Sequence, residues 1–185
     1  MNFQHNKIKI TKESYTYVFE YKQQLLYSIT KLLNDLGIKF VISHGNLIEF
    51  TRNKPIYHDD DLDIRFNKND FYKWENFCNN NNKILPKYNL RFDHRFKDFH
   101  KQIYNGIQCR LIKFYNKNNI NEYEMNLHCD LVANIVGNKF WPDYNINYNS
   151  LRKIKYLSVE TFAPSIKDTH KVLSKQYGNY LIPNV

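Results

Sequence analysis

Four aspartates within five residues, followed at once by an apolar residue, constrain this chain more than any other feature. Residues 59–63 read Asp-Asp-Asp-Leu-Asp. Alternate side chains of an extended strand share a face, so Asp61 and Asp63 are predicted to project to one side while Leu62 and Ile64 point into the core. Carboxylates crowded on one face repel each other unless a cation lies between them. The pattern therefore predicts a buried strand that begins at a divalent-metal site, for Mg²⁺ or Mn²⁺, with a solvated turn as the alternative.

The apolar pattern of the remaining chain alternates between helical and extended periods, which predicts an α+β domain. Apolar residues recur at three- and four-residue spacing from Ser14 to about Leu36, so a long amphipathic helix is expected to end at Gly37. Other helices are expected at 47–51, at 71–77 with Asn67 or Asn69 as cap, and from Ser165 or Asp168 to Gln176. Strands are expected at 38–43, 62–66, 90–96, 108–115 and 124–132, with a strand pair within 153–162 and an exposed loop at 78–83. No linker divides the 185 residues, so residues 1–185 are predicted to form one domain.

A possible phosphate-binding segment precedes the acidic run. Gly45 follows an expected strand and opens a helix, so the backbone N–H groups of Gly45 and Asn46 are predicted to face an anion. The planar, permanently charged guanidinium of Arg52 suits a diphosphate, with a surface arginine as the alternative. Lys54 lies in the same basic loop. His58 either contacts the site or is an ordinary loop histidine.

Asp130 is the candidate for a third carboxylate. It lies in the apolar segment 127–132, where an acid is unfavourable to bury unless it faces a metal ion or a partner. A turn or a salt-bridged aspartate is the alternative interpretation, and Asp93 is the competing candidate. The adjacent His128 and Cys129 are interpreted as packed or solvent-facing side chains rather than as metal ligands.

The acidic run and the segment before it resemble the signature of the LicD family, relatives of fukutin and fukutin-related protein within the nucleotidyltransferase superfamily. The similarity covers Gly45, Asn46, Leu47, Ile48, Arg52, Lys54, Ile56 and residues 57–64, which read Tyr-His-Asp-Asp-Asp-Leu-Asp-Ile. Near the end of the chain it covers residues 164–168, Leu173, residues 177–180 and Pro183. The chain departs from the family pattern at Asn46, Glu49 and His58.

The resemblance implies a nucleotidyltransferase (polymerase-β-like) fold, with a mixed β-sheet flanked by helices. It further implies a transferase that moves a phosphorylated alcohol, such as phosphocholine or ribitol phosphate, from a CDP-linked donor to a glycan hydroxyl. In that reaction Asp61, Asp63 and Asp130 would be the catalytic metal ligands, and Asp59 would join them at the metal. The turn at Gly45 and Arg52 would bind phosphate.

Two other functions are compatible with the residues. Another superfamily reaction, transfer of a nucleoside monophosphate from an NTP, is favoured slightly by the net charge of +9. A module that binds anionic polymers, including nucleic acid, is possible but not favoured, because such a module has no use for concentrated negative charge. Three cysteines without a CxxC pair, a polar N-terminus and no long apolar run predict a soluble, cytoplasmic protein.

Overall fold

The computed structural model describes residues 12–57, 59–81, 84–92, 108–113, 127–134 and 145–181. Four α-helices and eight strands lie within these ranges. Their order is α1 (Lys12–Asp35), β1 (Phe40–Ile42), α2 (His44–Arg52), β2 (Leu62–Asn67), α3 (Phe71–Asn80), β3 (Ile84–Leu85), β4 (Leu90–Phe92), β5 (Gln108–Lys113), β6 (Cys129–Asn134), β7 (Arg152–Tyr156), β8 (Val159–Ala163) and α4 (Ile166–Tyr177). Single 3₁₀ turns occupy Lys68–Asp70 and Pro86–Tyr88. The chain is therefore of the α+β class.

Six of the strands form one mixed sheet, in the order β1-β2-β6-β5-β4-β3. The pair β2 and β6 is parallel, and the other neighbouring pairs are antiparallel. Strands β7 and β8 form a separate hairpin, and Phe162 of that hairpin packs edge-to-face on Phe40 of β1 with ring centroids 5.5 Å apart. The parallel pair brings together two segments that lie far apart in sequence.

Helix α1 covers the core with its apolar stripe. The fully buried side chains on this stripe are Leu25, Leu26, Ile29, Leu32 and Leu33. Two polar contacts tie the helix to its neighbours: the Tyr21 hydroxyl donates to the Leu127 carbonyl at 2.8 Å, and the Thr30 and Thr161 hydroxyls are 3.4 Å apart. Buried apolar residues of helices, sheet and hairpin join in one cluster. Each buried leucine contributes about 2 kcal/mol of transfer free energy to such a core.

Helix α2 begins earlier than the sequence pattern predicts. The prediction placed its start at 47, with Gly45 as the residue that breaks the preceding strand. Instead, Ser43 is the N-cap and its carbonyl accepts from the Leu47 N–H at 3.1 Å, so His44 and Gly45 belong to the first turn. A glycine is tolerated there because the first N–H groups of a helix need no partner within the helix.

Helix α3 also extends beyond the predicted residues, into the asparagine run. The Asn80 side chain donates to Asn76 Oδ1 at 2.9 Å, and the Asn81 side chain donates to the Phe77 carbonyl at 2.8 Å. These bonds satisfy groups that an isolated helix end would leave to water. The Asn67 side chain caps the preceding 3₁₀ turn, by accepting from the Asn69 N–H, rather than α3 itself.

The remaining predicted elements agree with the described residues. Helix α4 has Ser165 as its N-cap, whose hydroxyl accepts from the Asp168 N–H at 3.1 Å, and it ends before Gly178. Strands β4, β5 and β6 fall within or overlap the predicted segments, and residues 93–96, 114–115 and 124–126 lie outside the described ranges. The short strand β3 was not predicted. Within the same ranges, no helix is both long enough and apolar enough to cross a lipid bilayer.

Candidate metal centre

The parallel pairing of β2 and β6 brings two short motifs side by side. Asp63 lies opposite Asp130 in the register, and the Leu62 N–H donates to the His128 carbonyl at 2.9 Å. The alternate residues of both strands are fully buried on the other face: Leu62, Ile64, Cys129 and Leu131. Because side chains alternate between faces, Asp61-x-Asp63 and His128-x-Asp130 share the opposite face.

Three of these four side chains can share one metal ion. The ligand atoms of Asp61, His128 and Asp130, hereafter the triad, all lie within 4.8 Å of one another. The Nε2 atom of His128 is 3.7 Å from Asp61 Oδ2 and 3.5 Å from Asp130 Oδ1. Their side chains are 28 %, 12 % and 16 % exposed in the order named, so the triad is sheltered but open to a small ligand.

The electrostatics of this face favour a bound cation. Burial and then the negative charges of Asp59, Asp130 and Asp60, in that order, together raise the pKa of Asp61 to about 7. Burial, and then the charge of Asp61, raises the pKa of Asp63 well above its usual range. A divalent ion would favour the charged form of both carboxyls and relieve their repulsion.

Asp59, which the family resemblance assigns to the metal, is held by other groups. Its Oδ2 lies 3.1 Å from Lys22 Nζ, and Nζ also donates to the Asp59 carbonyl at 3.1 Å. The Asn46 amide donates to the same carboxylate oxygen at 3.3 Å. Lys22 is 4 % exposed, so the charge of Asp59 faces a buried ammonium rather than solvent.

Asn46 organises the acidic segment instead of projecting into solvent. It is fully buried, and its Oδ1 accepts from the Asp63 N–H at 2.6 Å. Its amide nitrogen lies 3.4 Å from the Asp61 carbonyl, in addition to the contact with Asp59. The backbone N–H of Asn46 was predicted to face phosphate, and its side chain holds the backbone of the acidic segment.

The space beside Gly45, where a side chain would stand, is occupied by the Asp59 carboxylate. A Cβ atom built on Gly45 would lie 2.8 Å from Asp59 Oδ2, closer than side chains tolerate. The first turn of α2 therefore faces Asp59 at this point. Phosphate binding at Gly45 stays a prediction.

Among the described residues, the basic side chains predicted to bind phosphate lie at the end of α2 away from Gly45. Arg52 lies at the other end of α2 from Gly45, about 10 Å along the helix axis, and its Nε donates to the Tyr180 carbonyl. Lys54 is exposed on the turn after α2. His58 and Asp93 lie outside the described residues.

A buried polar network beneath the acidic segment was missed by the sequence analysis. Lys22 Nζ is 3.8 Å from Glu49 Oε2, and Glu49 also accepts from the Ile56 N–H at 2.7 Å and from the Tyr156 hydroxyl. Burial, followed by the charge of Glu49, raises the pKa of Tyr156. A lysine between the apolar positions Val18 and Leu25 of α1 was the available signal, because a charge on a core-facing stripe needs a partner.

His44, a buried residue of α2, lies beside Asp63. The Arg65 guanidinium has only donors, so His44 Nε2, 3.3 Å from Arg65 Nη2, must accept. The ring proton then sits on Nδ1, which is 3.0 Å from Ser43 Oγ and 3.8 Å from Asp63 Oδ1. Burial and the charge of Arg65 lower the pKa of His44 to about 3, so the ring is neutral.

The interpretation of His128 as an ordinary packed side chain missed its position beside the two carboxylates. The signal was present in the sequence as two motifs of the same spacing, Asp61-x-Asp63 and His128-x-Asp130. Cys129, between the two triad members on β6, is fully buried as expected.

Searches of protein-family models and of curated proteins find no match for this chain.

Proposed function

We propose that this chain is a divalent-metal-dependent transferase with a nucleotidyltransferase-like fold, which moves a phospho-alcohol group from a CDP-linked donor to a glycan hydroxyl. The observation that carries the proposal is the triad, in which two acidic side chains and one imidazole converge within 4.8 Å on adjacent parallel strands. The donor and acceptor classes come from the resemblance to the LicD signature. The net charge of +9 agrees with an anionic donor.

The donor set of the triad fits a divalent cation. Carboxylate oxygens and a neutral imidazole nitrogen are ordinary ligands of such ions, and three protein ligands leave positions for substrate. Asp61, His128 and Asp130 would hold the ion, with Asp63 opposite Asp130 as a further carboxylate. When bound, the ion would neutralise the phosphate oxygens of the donor and promote departure of the nucleotide.

The chain's own groups would position the reactants around that centre. Asn46 and Lys22 hold the acidic segment in place, which preserves the spacing of Asp61 and Asp63. Asp130 lies opposite Asp63 in the register and 3.5 Å from His128 Nε2, and its carboxylate would accept the proton of an attacking hydroxyl. Most of the rate enhancement would come from alignment and charge stabilisation.

A donor screen tests the proposal. The purified protein is incubated with CDP-choline, CDP-ribitol or the four NTPs, with glycan acceptors and with Mg²⁺ or Mn²⁺, and the released CMP and pyrophosphate are measured. We expect CMP from a CDP-alcohol, and a loss of roughly 100-fold or more in Asp61→Asn and Asp130→Asn. Asp35→Asn is the matched control, because Asp35 is an exposed acid that pairs with Lys87 at 2.8 Å outside the triad.

The products separate the candidate reactions. Release of pyrophosphate from an NTP, with no CMP from any CDP-alcohol, would favour the nucleoside-monophosphate transfer instead. Full activity of Asp61→Asn and Asp130→Asn would contradict both reactions at this site.

A further inference from the structure

The ring nitrogen of His128 is directed at the same point as two carboxylate oxygens. Nε2 is 3.5 Å from Asp130 Oδ1 and 3.7 Å from Asp61 Oδ2, and the His128 side chain is 12 % exposed. The parallel ladder places the backbone of His128 beside the acidic segment, because the His128 carbonyl accepts from the Leu62 N–H. A site for a hard ion alone would be expected to have an oxygen ligand at position 128, opposite Asp61.

We infer that the triad selects a first-row transition ion, such as Mn²⁺, over Mg²⁺, with His128 Nε2 as a direct ligand. The inference rests on the proposed metal site and specifies its ion. Mg²⁺ demands a compact shell of oxygen ligands and retains several waters, whereas imidazole nitrogen is a ligand of borderline softness. One nitrogen among three protein ligands therefore shifts the relative affinity away from Mg²⁺.

A protonated His128 that bridges the two carboxylates is the competing role. It would make the same contacts without a bond to the ion. In that case the identity of the divalent ion would depend on the carboxylates alone, and an oxygen ligand in place of the imidazole would not change the selectivity.

Metal binding to the intact chain distinguishes the two roles. Mn²⁺ affinity is measured by electron paramagnetic resonance and Mg²⁺ affinity by competition, in the wild-type protein and in His128→Asp, which supplies oxygen where nitrogen was. We expect the ratio of Mn²⁺ to Mg²⁺ affinity to fall by about tenfold or more in His128→Asp. His170→Gln is the control, because His170 contacts Tyr180 away from the triad, and its ratio should equal that of the wild type.

A spectroscopic measurement on the wild-type protein removes the dependence on a variant that folds poorly. With ¹⁵N-labelled histidine, the diamagnetic ion Zn²⁺ should shift the Nε2 resonance of His128 and leave both ring nitrogens of His170 unchanged. The inference is overturned if the His128 resonance is unchanged at saturating Zn²⁺. It is also overturned if the ratio of Mn²⁺ affinity to Mg²⁺ affinity is the same in the wild type and in His128→Asp.

The outcome for His128 is separable from that of the proposed reaction. A His128-dependent selectivity in a protein that releases neither CMP nor pyrophosphate would support the metal inference and reject the transferase. Transfer that proceeds equally with Mg²⁺ and Mn²⁺, in wild type and His128→Asp alike, would support the transferase and reject the metal inference.

Discussion

Lys22 decides how the acidic segment can be buried at all. Its ammonium lies 3.1 Å from Asp59 and 3.8 Å from Glu49, and the lysine and Glu49 side chains are 5 % and 6 % exposed. Isolated charges of this kind are strongly unfavourable away from water, so each depends on the other. The lysine therefore lets α1 close over the edge of the site without forcing the carboxylates out.

Substitution of Lys22 should destabilise the folded protein far more than substitution of a surface lysine. We expect Lys22→Met to lower the free energy of unfolding by about 3 kcal/mol, because two buried carboxylates lose their partner. Urea denaturation measures the change. The control is Lys153→Met, since Lys153 pairs with Glu160 at 2.8 Å with both side chains more than 60 % exposed, and it should have little effect. Equal losses in the two variants would refute the assigned role of Lys22.

At the scale of elements, α2 and the acidic segment act as one unit. The helix starts directly after β1, Asn46 in its first turn bonds to the segment at three points, and a Cβ atom on Gly45 would overlap the Asp59 carboxylate. Glu49, one turn further, accepts from the Ile56 N–H and closes the loop between α2 and β2. The position of the aspartates thus depends on the register of this helix.

Gly45→Ala tests that dependence. An added methyl group at 2.8 Å from Asp59 Oδ2 forces that carboxylate to shift against Lys22 and Asn46, which hold it in place. We expect unchanged helix content by circular dichroism and Mn²⁺ affinity lower by about tenfold, as for other supporting residues of metal sites. Thr51→Ala in the last turn of α2 is the control. Unaltered Mn²⁺ affinity in Gly45→Ala would show that the helix and the site are independent.

At the scale of the whole molecule, the acidic face makes stability depend on pH and on metal. The pKa of Asp61 is raised from its usual 3.8 to about 7, so the folded state holds this proton more tightly than the unfolded chain does. Its favourable contribution is complete below 3.8 and is lost as the pH rises through about 7. The raised pKa of Asp63 acts in the same direction. Burial lowers the pKa of His44 from 6.5 to about 3, so this group acts in the opposite direction until the pH passes its unfolded value.

With chelator present, the Tm of the wild type should therefore fall, relative to the Tm of Asp61→Asn, by several degrees between about pH 5 and about pH 8. This comparison isolates the carboxyl group, because the opposing contribution of His44 is common to both proteins. Saturating Mn²⁺ should raise the Tm of the wild type most at the higher pH, where the carboxylates are charged. Thermal scans across this range measure both effects, and a wild-type Tm that does not fall relative to that of Asp61→Asn in chelator would contradict the assignment.

Local patterns in the sequence determined most of the elements and one side of the site. The three- and four-residue spacing predicted α1, the Ser165 cap and Gly178 bounded α4, and the alternation at residues 61–64 predicted which side chains of β2 turn away from the core. These features are predictable because each depends on neighbours within a few residues along the chain.

Only the tertiary structure decided which distant residues meet. Whether β6 lies beside β2, and in the register that sets Asp63 opposite Asp130 and His128 level with Asp61, depends on long-range pairing that periodicity does not encode. The same holds for Lys22, whose place on α1 was readable while its carboxylate partners were not. The acidic run could thus be recognised from the sequence, but its histidine and its lysine required the packing of the chain around it.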